Sequence, residues 1–148
     1  MPEKHVFGPI PLTVPERLTR ADLEFYGIDH FRPSYVADLF FNDPEVTEEN
    51  ADIERESYAG SFAIFGHSRC FGDKGHCEVH TYVRRFDDRP SHPLTRAFKR
   101  VTVTDALRRL SGAPELTVTV VVTTTPEDED DSRGPLLSFQ GLQLTTFV

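Results

Sequence analysis

Apolar and polar positions alternate along most of this chain, and the alternation is that of strands. In YVADLFF, Tyr35 to Phe41, the pattern alternates at first and closes in an apolar triplet, after which Asn42-Asp43-Pro44 ends the run. YAGSFAIF, Tyr58 to Phe65, sets Tyr58, Gly60, Phe62 and Ile64 against Ala59, Ser61, Ala63 and Phe65. CEVHTYVR, Cys77 to Arg84, alternates in the same way and places Cys77 and His80 on opposite sides. KRVTVT, 99–104, is a short strand, and LTVTVVVTTT, 116–125, is β-branched nearly throughout. LLSFQGLQLTTFV, 136–148, is the last strand, and Leu23 and Phe25 mark an early one before the turn-like GIDHFRPS.

Only one segment reads as helix: Thr104 can N-cap a turn over DALRRL that Gly112 stops. Pro2, Pro9, Pro11 and Pro15 forbid a helix in residues 1–20, which reads as an extended N-terminal arm. No internal repeat is present. Short strands separated by turn signals predict an all-β protein, an antiparallel β-sandwich of about seven strands with one short helical turn. A single domain over residues 21–148 follows from the length, since a chain of 148 residues buries roughly 68–70% of its unfolded surface.

Composition narrows the function. The net charge of −8 argues against nucleic acid, which needs clustered Lys and Arg. The acidic runs, Asp43 to Glu56 and Glu127 to Asp131, read as solvated loops. No window approaches the about 20 apolar residues that span a bilayer. The N-terminus lacks a basic region followed by an apolar one, so a cytoplasmic home is expected. In that compartment thiols stay reduced, which favours metal over disulfide for a Cys/His cluster.

Such a cluster exists. GHSRCFGDKGHC, Gly66 to Cys77, holds both cysteines and two of the six histidines, and His80 follows. His67, Cys70, His76, Cys77 and His80 are five candidate donors, and Gly66, Gly72 and Gly75 let the loop wrap an ion. Thiolate with imidazole suits Cu(I), and zinc accepts the same donors, so copper is the expected metal with zinc second. Adjacent His76 and Cys77 diverge on a strand. The best set is therefore Cys70 and Cys77 with one or two of the histidines. A Cys70–Cys77 disulfide, worth roughly 2–3 kcal/mol by loop closure, stays open as an alternative, as do two unrelated free thiols.

Three segments together carry a resemblance. YAGSFAIFGH (58–67), RRFDDRP (84–90) and KRVTVTDALRRL (99–110) resemble the C-terminal β-sandwich domain that follows the copper domain in mollusc-type haemocyanins and long tyrosinase-like proteins. YVADLFFND (35–43) is similar to the family strand that ends beside the copper site. The resemblance spans about Ala21 to Val122. No pair of three-histidine clusters is present, so the resemblance implies a sandwich without the catalytic copper domain. It also implies a type 3 copper protein, tyrosinase-like or otherwise, as partner; a homo-oligomer is left open. In the family a bulky side chain plugs the dicopper entrance. Carried over, that plug falls in Leu39, Phe40 or Phe41, most plausibly Phe40, although consecutive apolar residues at a strand end also read as plain core.

The expected function is a non-catalytic accessory protein that delivers copper to such a partner or covers its active site. Two alternatives stand beside it: a metal-free structural or interaction subunit with the Cys70–Cys77 disulfide, and a small stand-alone enzyme. For the enzyme, Asp87, Asp88, Arg89 and His92 crowd one loop but read more simply as a salt-bridged turn.

Overall fold

The computed structural model describes residues 3–30, 32–67, 85–86, 96–124 and 134–148. Seven strands are present among them: β1 (Glu3–Pro11), β2 (Arg20–Ile28), β3 (Tyr35–Phe41), β4 (Tyr58–Ile64), β5 (Ala97–Thr102), β6 (Glu115–Thr124) and β7 (Gly141–Phe147). They form two antiparallel sheets, ordered β1-β6-β3-β4 and β5-β2-β7. The expected β-sandwich is therefore observed. No described helix is long and apolar enough to cross a membrane.

The two sheets meet through their alternating apolar positions. Ala21, Leu23 and Phe25 of β2 face inward, opposite Ala37, Leu39 and Phe41 of β3 and Leu116, Val118, Val120 and Val122 of β6. Phe25 lies at the centre, its ring 4.8 Å from Phe62 and 5.2 Å from Phe139. Around these rings the described core is mainly Leu and Val, and Phe65, Phe98 and Phe147 are exposed.

The N-terminal segment is extended but does not stand apart from the sandwich. Residues 3–11 form the edge of the four-stranded sheet, paired with β6 from Glu3↔Val122 to Pro11↔Glu115. An edge strand tolerates Pro9 and Pro11 because one of its sides needs no backbone donors. The last strand is shorter than its apolar run. Residues 136–140 precede it without joining the ladder, and the Leu136 and Leu137 N–H groups donate to the Glu3 carboxylate at 2.6 and 3.0 Å.

The helical turn is α1 (Thr104–Arg109), but Val103, not Thr104, occupies the N-cap position. The Thr104 hydroxyl instead accepts the Ala21 N–H at 3.0 Å and ties the helix to β2. The first acidic run is also more ordered than a solvated loop. Residues 43–57 fold over the outer face of the four-stranded sheet, where Val46 packs on Phe40 and Val121 with Ala51 and Tyr58 alongside. Asp43 pins this cover by accepting from Arg55 Nε at 2.7 Å and Ser57 Oγ at 2.6 Å. The second acidic run, 127–131, the strand expected over 77–84, and Asp87, Asp88, Arg89 and His92 lie outside the described residues.

Candidate functional site

The end of β4 carries the described part of the Cys/His segment. Gly66 follows the strand and sits so close to the β2–β3 loop that a Cβ there would overlap the Arg32 carbonyl and the Pro33 backbone. Glycine is required by this contact. The Gly66 N–H donates to Ser34 Oγ at 2.9 Å, and the His67 N–H donates to the His30 carbonyl at 2.8 Å. Two chain segments distant in sequence are thereby fastened together. The result is an edge-to-face pair of imidazoles, His30 and His67, with ring centres 4.8 Å apart and planes at 83°. The Phe65 ring lies 6.2 Å from His67 and is 83% exposed.

This end of the sandwich gathers buried polar atoms that lack partners. Among the described residues, Nδ1 of His67, Nη1 of Arg32 and the Tyr35 hydroxyl have no hydrogen-bond partner. Each is a donor or acceptor removed from water, a situation native interiors seldom leave standing. Burial, with the charges of Glu3 and Asp29, pushes the Tyr35 phenol above its ordinary range, so it is a neutral donor.

Of the five predicted donors, His67 is the one described; Cys70, His76, Cys77 and His80 lie outside the described residues. Among the described residues no group of three or more His, Cys, Asp or Glu side chains converges on a metal position. Leu39, Phe40 and Phe41 require a correction. Leu39 and Phe40 have no exposed surface, and Phe41 is 3% exposed. Leu39 and Phe41 point into the core, and Phe40 lies under the 43–57 cover. A side chain without exposed surface cannot enter a partner's pocket in this fold.

Sequence reasoning missed His30, which lay in a segment read only as a turn. A second arrangement, on the outer face of β5-β2-β7, was also missed. Arg20, Asp22, Glu24 and Tyr26 alternate there against Ala21, Leu23 and Phe25. Asp22 takes Arg20 at 2.9 Å and the Thr102 hydroxyl at 3.1 Å. Glu24 takes Tyr26 Oη at 2.8 Å, Arg100 at 3.0 Å and the Thr145 hydroxyl at 3.1 Å. Burial pushes the Asp22 carboxyl up, but the hydrogen bonds from Arg20 and Thr102 and the two guanidinium charges hold it below its ordinary range. Glu24 is held low chiefly by the Tyr26 hydroxyl, with Arg100 and Thr145 helping against burial. Fully partnered and ionised, these carboxylates are poor acids or bases at neutral pH. The signal that could have found them is the D-x-E-x-Y alternation itself.

Two open clefts flank these features. One, of about 390 Å³, lies between Asn42, Asp43 and Arg55 on one side and Ala106, Arg109 and Leu110 on the other. The other, of about 540 Å³, is lined by Val36, Ala63, Phe65, Lys99 and Thr123 among others and is mainly apolar.

Taken together, the fold is that of an antiparallel β-sandwich carrying a histidine pair at one end. No family model matches the chain, and no curated protein sequence matches it. Among solved structures it is similar to a latent aurone synthase, a polyphenol oxidase co-crystallised with hexatungstotellurate(VI). Identity is 18% and the TM-score 0.52, over 99% of this chain and 24% of that one. The likeness is one of fold alone. The chain spans about a quarter of that oxidase.

Proposed function

We propose that the chain is an accessory β-sandwich of a tyrosinase-like, type 3 copper system. In this reading it covers the partner's active site and carries copper to it on the Cys70–Cys77 loop. The observation that carries the reading is the match of nearly the whole chain to a quarter of a polyphenol oxidase described as latent. A sandwich of that kind supports a role beside an oxidase. With Leu39, Phe40 and Phe41 enclosed, the covering side chain in this reading is Phe65, which stands exposed at the end of β4, two residues before His67.

The test is a Cu(I) titration against a chromophoric chelator, on the parent chain and on the C70S/C77S double variant. The parent is expected to take Cu(I) and the variant to lose it. Cu(I) affinity that survives the double substitution ends the delivery role. A count of free thiols in the same preparation decides between a thiolate loop and the disulfide alternative.

A further inference from the structure

We infer that His30 and His67 form an imidazole-pair metal site for a borderline divalent ion such as Cu(II), a site that calls on neither thiolate of the chain. The inference rests on the copper reading for the choice of ion but not for the site. Its ground is geometric. Two imidazoles ligating one ion at about 2.0–2.1 Å set their ring centres roughly 4.5–5 Å apart at angles between square and tetrahedral. The observed separation is 4.8 Å, with the ring planes near perpendicular. The two residues do not meet by accident of a mobile side chain. The His67 N–H to His30 carbonyl bond holds their backbones together, and the Gly66 contact with Arg32 and Pro33 fixes the approach of β4 to the loop. The pair is thus built by the fold, as a ligand pair must be.

The state of His67 supplies the second ground. Its Nδ1 is buried without a hydrogen-bond partner among the described residues. In the tautomer that leaves Nδ1 its lone pair, that nitrogen has no donor facing it, and a metal ion takes up such a lone pair. A ligating imidazole uses one nitrogen for the ion and keeps the other for a donor contact, so the site needs only one nitrogen from each ring. Both residues are only part-buried, which leaves a path for the ion. Two imidazoles with water in the remaining positions make the nitrogen–oxygen environment that Cu(II) accepts, while thiolates suit Cu(I). The two sites then differ in the oxidation state they prefer.

The experiment uses the full chain carrying C70S/C77S, so that thiolates neither bind nor reduce the ion. Cu(II) titration followed by electron paramagnetic resonance is expected to show one bound ion with nitrogen hyperfine structure. His30→Gln and His67→Gln, added singly, should each weaken binding by about tenfold or more, while His5→Gln leaves it unchanged. Far-UV circular dichroism checks that each variant is folded. A second measurement needs no variant: Zn(II) should protect His30 and His67 of the parent chain from diethyl pyrocarbonate, read by mass spectrometry. Unchanged Cu(II) affinity in H30Q, or equal modification of both histidines with and without Zn(II), overturns the site and leaves a ring contact only. Loss of Cu(I) delivery in the parent with Cu(II) binding intact defeats the proposed function and spares this site; the reverse result defeats the site alone.

Discussion

The two sheets treat carboxylates on their outer faces in opposite ways. On β5-β2-β7, Asp22 and Glu24 are almost completely covered, at 1% and 6% exposure, yet both are held ionised. The register explains it. Asp22 stands opposite Thr102 on one side and Thr145 on the other, and Glu24 stands opposite Arg100 and Gln143, so the directly facing cross-strand positions carry donors. The covering groups are the half-exposed arginines, whose guanidinium carbons lie 5.7 and 5.4 Å from the ring centres of Phe147 and Phe98. On β1-β6-β3-β4, Asp38 stands opposite Ser61 and Val121, with Val36 and Phe40 as its neighbours on the same face. No cation faces it across the ladder, and burial pushes its carboxyl up. The same residue chemistry is thus supported on one face and penalised on the other, and the partner across the strand decides which.

The outer face of the four-stranded sheet is held instead by apolar contact, and that contact yields the largest expected effect. Phe40 is fully buried outside the main core, edge-on to Tyr58 at 5.7 Å and packed on Val46 and Val121. Phe40→Ala should cost about 3–5 kcal/mol in urea unfolding, the range for a phenyl ring lost from a packed site. A loss below about 1 kcal/mol would mean that the 43–57 segment is not a structural cover and that Phe40 is free to face a partner.

Next in size is the charge lattice. Asp22→Asn keeps the shape but removes the charge that Arg20, Arg100 and Thr102 address, and should cost about 1–3 kcal/mol at pH 7. The arginines are half exposed, which keeps the figure from being larger. The sign with pH follows from the lowered carboxyls. Their contribution is complete above the ordinary carboxylate range and disappears as pH falls through the folded-state values below it. The parent should therefore lose melting temperature on acidification below about pH 4, and D22N should lose less over the same interval. Parallel curves for the two proteins would remove the lattice from the account of stability.

Much of this fold can be read from the chain, and the parts that cannot share one cause. Tyr35 to Phe41 is bounded as expected because Asn42-Asp43-Pro44 cannot continue a strand, and Asn42 takes up a left-handed backbone there. Glu115–Thr124 is legible from its β-branched run. Local pattern does not say what lies across the ladder or above the sheet. The place of Glu3–Pro11 beside β6, the cover on Phe40 and the meeting of His30 with His67 all depend on pairings distant in sequence. His67 stood out by composition as a candidate donor, whereas His30 becomes visible only once Gly66 has closed on the β2–β3 loop.

The smallest expected effect is the sharpest test of the comparison, because its sign is opposite. Asp38 has its carboxyl raised by burial, so at neutral pH the folded state bears a cost for keeping it charged. Asp38→Asn removes that cost with little change of volume and should stabilise the protein at pH 7, by well under about 1 kcal/mol. The cost exists only while the group is ionised. It shrinks as pH falls through the raised folded value and is gone below the ordinary value of 3.8. The gain of D38N in melting temperature should therefore be present at pH 7 and absent at about pH 3, while the loss in D22N also fades with acid. Two substitutions of the same type, one on each sheet, would then converge on the parent from opposite sides. If D38N instead destabilises at pH 7, Asp38 has a partner that its register does not supply, and the contrast between the faces fails.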